Sequence, residues 1–309
     1  MKEKSTQPLI SIITINYNQT QATYELLQSI KEISYVNYEV IVVDNNSDEN
    51  PKPLINALFP EVTVILSNKN LGFAGGNNLG VAAAKGDYFF FVNNDTELTK
   101  DVIEKLLAMF DKVPDLGMVS PKICYYDEPN RIQYVGFTRM NPYTARNTTI
   151  GEHEIDEGQY SQPVPTPYAH GAAMLVKRSV TERVGLMAET FFLYYEELDW
   201  CERIRKAGYE IYVEPNALIY HKESLSVGKL SALKTYYVTR NRILFMRRHA
   251  SNLEWLAFVL FLVLFTIPKN LISYAMKRDF KHIKAFSKGI LWNFYHRAES
   301  DFEAKLSLR

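Results

Sequence analysis

Short apolar runs and helix-compatible stretches alternate over the first hundred residues. Leu9 to Asn16 is a β-branched apolar run, and Gln19 to Ile33 has helical spacing. Tyr38 to Val43 reads as a second buried strand and Val62 to Leu66 as a third. Asn70 to Gly76 is a glycine-punctuated turn leading into a helix to about Ala84, and Asp87 to Val92 closes the series as a fourth strand. Thr99 is placed to cap a helix running to about Lys112. Strand and helix in this order predict a largely parallel α/β sheet with helices on its faces.

Beyond Asp115 the pattern loosens. Met118 to Tyr126 and Ile132 to Phe137 read as short strands, and the polar, proline-containing stretch from Asn141 to Pro167 reads as a loop or insertion beside a site. Packed chain resumes from Ala172 to Val184. A helix spans Glu196 to Ala207, stopped by Gly208, and Tyr209 to Val213 and Ala217 to Tyr220 read as two strands. Trp255 to Pro268 carries no charge, and as a helix it spans about 21 Å against roughly 30 Å of bilayer hydrocarbon.

Charge changes this picture. The 309 residues balance 35 basic against 35 acidic side chains, but residues 1–221 hold 19 Lys/Arg and 29 Asp/Glu, while residues 222–309 hold 16 and 6. An acidic body is therefore joined to a basic, apolar tail, which points to an anionic partner for the tail. Arg247 and Arg248 precede the uncharged run, and Lys277, Arg278, Lys281, Lys284 and Lys288 follow it. Matching positive flanks favour a helix lying in the membrane interface over one crossing it. The expected location is cytoplasmic, peripheral or monotopic on the inner face of the cell membrane, with residues 240–290 on the anionic surface. No nucleic-acid module is recognisable. The two cysteines, Cys124 and Cys201, have no framework spacing, and the polar start Met1 to Pro8 has no apolar signal region.

Candidate chemistry gathers at strand ends. The first strand ends in Asn16-Tyr17-Asn18, the second in Asp44-Asn45-Asn46-Ser47 and the fourth in Asn93-Asn94-Asp95. In open α/β sheets the carboxyl edge binds ligands, although Asp44-Asn45-Asn46 reads equally well as a turn. Asn70, Gly72, Phe73, Gly76 and Asn78 belong to a glycine-rich loop entering a helix, a place where backbone can approach a diphosphate.

The succession strand-NYN, VVDNNS, NLGFAGGNNLG and KGDY-strand-NND over residues 8–97 resembles family 2 glycosyltransferases of the GT-A fold. The likeness continues through Ala169 to Arg178 and Tyr194 to Arg203 to Tyr209. It covers roughly residues 8–248 and looks most like the rhamnosyl- and galactofuranosyl-transferase branch. It implies an inverting, metal-dependent hexosyltransferase, with a dTDP- or UDP-linked sugar donor and a glycan or lipid-linked glycan acceptor of polysaccharide biosynthesis. The implied layout is a catalytic domain over residues 1–228, its nucleotide half near 8–97 and its acceptor half near 115–228. Membrane-associating helices follow over 229–309.

Residue by residue, the resemblance puts Asn93-Asn94-Asp95 in place of an Asp-x-Asp triplet, leaving one carboxylate where two are usual. Asp95 and His221 then hold Mg²⁺ or Mn²⁺. Thr14, Asn16, Tyr17, Asn18, Asp44, Asn46, Asn93 and Asn94 fall on the donor side, with Arg240, from a Tyr236-Tyr237…Arg240-Asn241 element, facing the diphosphate. His170, Gly171 and Ala172 fall on the acceptor side. Among Glu196, Glu197 and Asp199, helical spacing pairs Asp199 with Arg203 and Glu202 with Lys206, leaving Glu197 free to serve as base, with Glu196 as the alternative. Two other readings compete: a non-catalytic glycan- or nucleotide-binding GT-A protein, and a nucleotidyltransferase. The second would need a basic loop after the first strand, where Asn16 to Thr20 has no Lys or Arg.

Overall fold

The computed structural model describes residues 7–222 and 231–296. The first half runs β1 (Ile10–Asn16), α1 (Thr20–Lys31), β2 (Tyr38–Asp44), α2 (Lys52–Leu58), β3 (Thr63–Leu66), α3 (Gly72–Ala83) and β4 (Tyr88–Val92). There follow β5 (Thr96–Leu98), α4 (Val102–Lys112), β6 (Leu116–Tyr125), β7 (Ile132–Tyr134), β8 (Val164–Pro165), β9 (Ala173–Lys177), α5 (Arg178–Val184), α6 (Glu196–Lys206) and β10 (Glu210–His221). Four helices close the described chain: α7 (Ala232–His249), α8 (Asn252–Phe261), α9 (Ile267–Met276) and α10 (Phe280–Tyr295).

Strand residues alternate between two cores, which is why helices cover both faces of the sheet. Val40, Val42, Phe90 and Val92 point into a core with α1 and α4. Ile41, Val43, Phe89 and Phe91 point into a second core with Trp200 of α6 and Ile243 to Met246 of α7. Burying each of these side chains contributes roughly 1.5–3 kcal/mol.

The sheet is mixed and not wholly parallel. Its order is β3-β2-β1-β4-β9-β6-β10-β5, with β9 antiparallel to both β4 and β6. Ala173, at the start of β9, pairs with Val92 at the end of β4, so the start of β9 lies at the carboxyl edge of its neighbours. β10 runs parallel to β6 and brings His221 to that same edge. The two short strands expected over 209–220 are one strand, interrupted by a register shift between Glu214 and Leu218. Thr99 does not cap α4. Its hydroxyl donates to the Leu218 carbonyl at 2.6 Å, and Asp101 stands at the helix start.

The apolar tail is more continuous than its uncharged run suggests. α8, a π-helical turn at Leu262–Thr266 and α9 form one helix, Asn252–Met276, of 25 residues, or about 37 Å. The wide turn accommodates Pro268, whose ring cannot donate to the preceding ladder. Phe258 and Leu262 face the second core, while Leu253, Leu256, Leu260, Leu264, Ile272 and Met276 form an exposed stripe.

Candidate active site

A cleft of about 410 Å³ opens at the carboxyl edge, where β4, β9 and β10 converge with α3 and the start of α7. Of the residues expected from sequence, Tyr17, Asn70, Gly72, Phe73, Asn93, Asn94, Asp95, His170 and His221 line it.

Several others hold its walls from behind. Asp44 is 3% exposed and accepts from Asn16 Nδ2 at 2.8 Å and from the Ser47 hydroxyl and backbone N–H at 2.6 and 3.0 Å. Its acceptors face Asn16 and Ser47, whereas its neighbour Asn45 reaches the cleft. Asn45 donates to Asn70 Oδ1 and the Gly72 carbonyl, and accepts from the Leu71 N–H, which fixes the loop entering α3. Asn16 Oδ1 and Asn94 Nδ2 meet at the Thr23 hydroxyl. Thr14 is fully buried in β1, Asn18 bonds Ser47 and Asp48 at the rim, and Asn46 is an exposed turn residue at φ +67°.

The glycine run serves packing more than phosphate cradling. It lies inside α3, where a Cβ on Gly76 would stand 2.8 Å from Ile15 Cδ1 and one on Gly80 2.4 Å from Ile13 Cγ2. Gly72, at φ +69°, lets Phe73 N–H bond the Phe192 carbonyl at 2.6 Å; a Cβ there would sit 2.2 Å from that oxygen. Asn78 donates to Met187 O and Glu189 Oε1, away from the cleft, while Asn77 lines it.

The cation ligands expected from sequence do meet. Asp95 Oδ1 lies 3.1 Å from His221 Nε2, both residues being buried. His221 Nδ1 lies 2.9 Å from Gln133 Oε1, an acceptor that places the ring proton on Nδ1 and leaves Nε2 with its lone pair toward Asp95. Nε2 has no hydrogen bond of its own. A carboxylate oxygen and an imidazole lone pair held this close repel unless a proton or cation lies between them. Their spacing matches adjacent corners of an octahedron with bonds near 2.1 Å, about 3.0 Å. Among the described residues no cluster of three His, Cys, Asp or Glu side chains forms, so Asp95 and His221 would hold such a cation as a pair. The residues thus fit a hard divalent cation.

His170 sits between this pair and the acidic helix. Its Nδ1 accepts from the Ala172 N–H at 3.1 Å, its ring stacks on Phe137, and burial pushes its pKa down to about 3, keeping it neutral. Gly171 then leaves room for Glu197, whose Cγ lies 4.0 Å from where a Gly171 Cβ would be.

The entry to α6 is strained. Phe192, Tyr194 and Tyr195 all have positive φ, costly for non-glycine residues. Asn241 Nδ2 holds the turn by donating to the carbonyls of Phe191, Leu193 and Tyr194, and Arg240 by donating to those of Thr190 and Phe191. The Arg240 guanidinium is therefore committed to this turn and not to the cleft; among the described residues the cation lining the cleft is Lys234.

Burial raises the Glu197 carboxyl to about 7 and lifts Glu196 well above the usual range, with the Glu197 charge adding to the Glu196 shift. Desolvation here outweighs the helix dipole that favours ionisation. Asp199 is fully buried and paired with Arg203, Arg248 and His249 at 2.8–3.0 Å, its pKa lowered by these partners against the cost of burial. It anchors α6 to the end of α7. Glu202 pairs with Arg205 and the Tyr168 hydroxyl in place of Lys206.

Gln133 and Lys234 were not anticipated, and Asn45, Asn77 and Tyr194 stand in motifs read from sequence without being singled out as lining the cleft. Gln133 carried a signal, a lone amide between Ile132 and Tyr134 in an apolar run that proves 6% exposed.

Comparison with known proteins places this geometry. The chain is 26% identical over 298 residues to dTDP-rhamnosyl transferase RfbF of Shigella flexneri, covering 91% of this chain and 95% of the relative. It is 23% identical over 241 residues to the N-acetylglucosaminyl-diphospho-decaprenol L-rhamnosyltransferase of Mycobacterium tuberculosis, covering 72% and 78%. The fold is shared with mannosyltransferase PcManGT from Pyrobaculum calidifontis, solved with GDP-Man and Mn²⁺, at TM-score 0.57 and 15% identity over 94% and 88% of the two chains. A profile described as Glycosyl transferase family 2 matches residues 11–185. The nucleotidyltransferase alternative falls, and the chain belongs to glycosyltransferase family 2.

Proposed function

We propose that this glycosyltransferase moves a hexose of the rhamnose type, with inversion, from a dTDP- or UDP-linked donor to a hydroxyl of a lipid-linked or polysaccharide glycan. The observation that carries the reading is the run of neighbours from the Asp95–His221 pair, which lines the cleft, through His170 and Gly171 to Glu197.

Asp95 and His221 would hold Mg²⁺ or Mn²⁺, which when bound supplies charge stabilisation for the departing nucleoside diphosphate. Lys234 faces the same cleft and adds a second positive group beside that leaving group. Glu197, ionised, accepts the proton of the acceptor hydroxyl as its oxygen forms a bond to the anomeric carbon and the bond to the diphosphate oxygen breaks. A single displacement inverts the configuration. Glu196, held protonated by burial and by its neighbour, keeps the pair from carrying two charges.

The exposed stripe of Asn252–Met276 would rest in the cytoplasmic membrane interface, with Lys277, Arg278, Lys281 and Lys284 toward anionic headgroups. Catalytic and tail regions then correspond to residues 1–228 and 229–309.

The test is release of nucleoside diphosphate from a panel of dTDP- and UDP-sugars, with Mg²⁺, Mn²⁺ or EDTA. A dTDP- or UDP-hexose turned over only with a divalent cation, giving product of inverted anomeric configuration, is expected. Turnover that survives EDTA unchanged would remove the cation from the reading.

A further inference from the structure

Arg242 is the anomaly among the deep arginines. Arg178 donates to the Ala84 and Gly86 carbonyls, Arg203 and Arg248 pair with Asp199, Arg240 holds the turn before α6, and Arg247 bonds Asn293 and His296. Arg242 is only 7% exposed, yet among the described residues no hydrogen bond or ion pair engages it, and its Nε is sealed from solvent without a partner. An uncompensated buried guanidinium is among the costliest arrangements in a folded chain.

Among the described residues its surroundings contain a second cation and no acid. The groups that act on it electrostatically are Tyr195, Arg146 and Tyr274, and burial together with Arg146 lowers its pKa. Arg146 is exposed on the loop at 141–146, which is tied to the base helix by the Tyr195 hydroxyl donating to the Ala145 carbonyl at 3.1 Å. The Tyr195 ring packs on Phe245, one turn along α7 from Arg242, at 5.7 Å. Tyr274 belongs to α9 and packs inward on Phe286, while Ile272 and Met276, on the opposite face of that helix, look outward in the exposed apolar stripe.

We propose that Arg242 and Arg146 form an anion site, distinct from the donor cleft, that takes the phosphate or diphosphate linking a glycan acceptor to its lipid. The placement gives each part of such a molecule a surface. The lipid rests on the outward apolar stripe of α9, the phosphate reaches round that helix to its Tyr274 side and meets the two guanidinium groups in charge-assisted hydrogen bonds, and the first sugar passes Tyr195 toward Glu197. Arginine suits the position because its fork binds phosphate oxygens in pairs and stays charged when buried. This inference rests on the lipid-linked acceptor proposed above.

The experiment uses the full chain in EDTA, which suppresses cation-dependent binding in the donor cleft, and titrates farnesyl diphosphate by calorimetry. Wild type is expected to bind it and to ignore farnesol, while Arg242→Met and Arg146→Gln weaken it at least tenfold. The Arg242→Met melting temperature is expected at or above wild type, since an unpaired buried charge is removed. A lower melting temperature with unchanged farnesyl diphosphate affinity would make Arg242 a purely structural residue and overturn the proposal. So would loss of binding to phosphatidylglycerol–phosphatidylcholine vesicles with farnesyl diphosphate affinity unchanged, which would identify a headgroup site. Wild-type donor hydrolysis with Mn²⁺ is followed separately. If it is absent while farnesyl diphosphate binds through Arg242, the transferase reading fails and the anion site stands; if it is present while both variants bind like wild type, the site fails and the transferase reading stands.

Discussion

On the wall made by β1, β2 and α3, amides and hydroxyls do most of the structural holding: Asn16, Thr23, Ser47 and Asn94 are joined into one network around the single carboxylate of Asp44, and Asn45 pins the loop into α3. The wall made by α6 and α7 is held by buried charge, with Asp199 gripped by Arg203, Arg248 and the His249 ring, and Glu196 and Glu197 forced to share a dry helix start. The contrast matches the two tasks of the proposed function. A donor that brings its own negative charge is best received by neutral, rigid hydrogen-bonding groups, whereas proton transfer needs a carboxylate whose affinity for protons has been raised. The charged wall pays for that with strain, in three left-handed residues ahead of α6.

The contrast is broken most severely by Glu197→Gln, which keeps shape and removes the base. Turnover should fall roughly 10²- to 10⁴-fold while nucleotide affinity, measured by calorimetry, stays the same. If Glu196→Gln were the damaging change and Glu197→Gln the mild one, the base would be Glu196. Next is the seam where the walls touch. Gly72→Ala places a Cβ in the left-handed region and 2.2 Å from the Phe192 carbonyl, and should cost about 2–4 kcal/mol in urea denaturation. An unaffected midpoint would mean that the two walls are not coupled there.

A pH series sharpens the comparison further. Glu197 titrates from 4.5 when unfolded to about 7 when folded, so the native state holds the extra proton. Its contribution to stability is complete below about 4.5 and is lost as pH rises toward 7. Turnover should move the opposite way, rising through about 7 as the base ionises, and Glu197→Gln should remove that rise and reduce the pH dependence of stability to the part Glu196 contributes. The smallest effect is expected on the neutral wall, where Asn93→Asp restores a second carboxylate to the triplet and should tighten Mn²⁺ binding a few-fold. No change in Mn²⁺ affinity would place Asn93 outside the cation's reach.

Sequence made the first half of the sheet legible because its strands are buried on both faces and end in polar clusters, so run length and punctuation mark them. Strand direction leaves no such trace. Ala173–Lys177 has the composition of any buried strand, and only the fold reveals that it runs antiparallel between β4 and β6. Alternation along a strand end also decides which of two neighbours faces a ligand, and this put Asn45 where Asp44 was expected. The α7 helix hid its roles for a different reason: Thr239 to Met246 are all buried, so no polar face tells Arg240, which clamps a turn, from Arg242, which is left unpaired.

The short strand β5 has a consequence for the order in which the molecule is completed. It carries the chain from Asp95 to the far edge of the sheet, where Thr96 pairs with His221 and the Lys222 N–H bonds the Asp95 carbonyl at 2.9 Å. Asp95 and His221 thus come from early and late in the chain and become neighbours only when the last strand slots between β6 and β5. A nascent chain that has emerged only as far as α6 has the first strands and the acidic helix, but Asp95 still lacks its partner. Closure of the sheet and the meeting of this pair are one event.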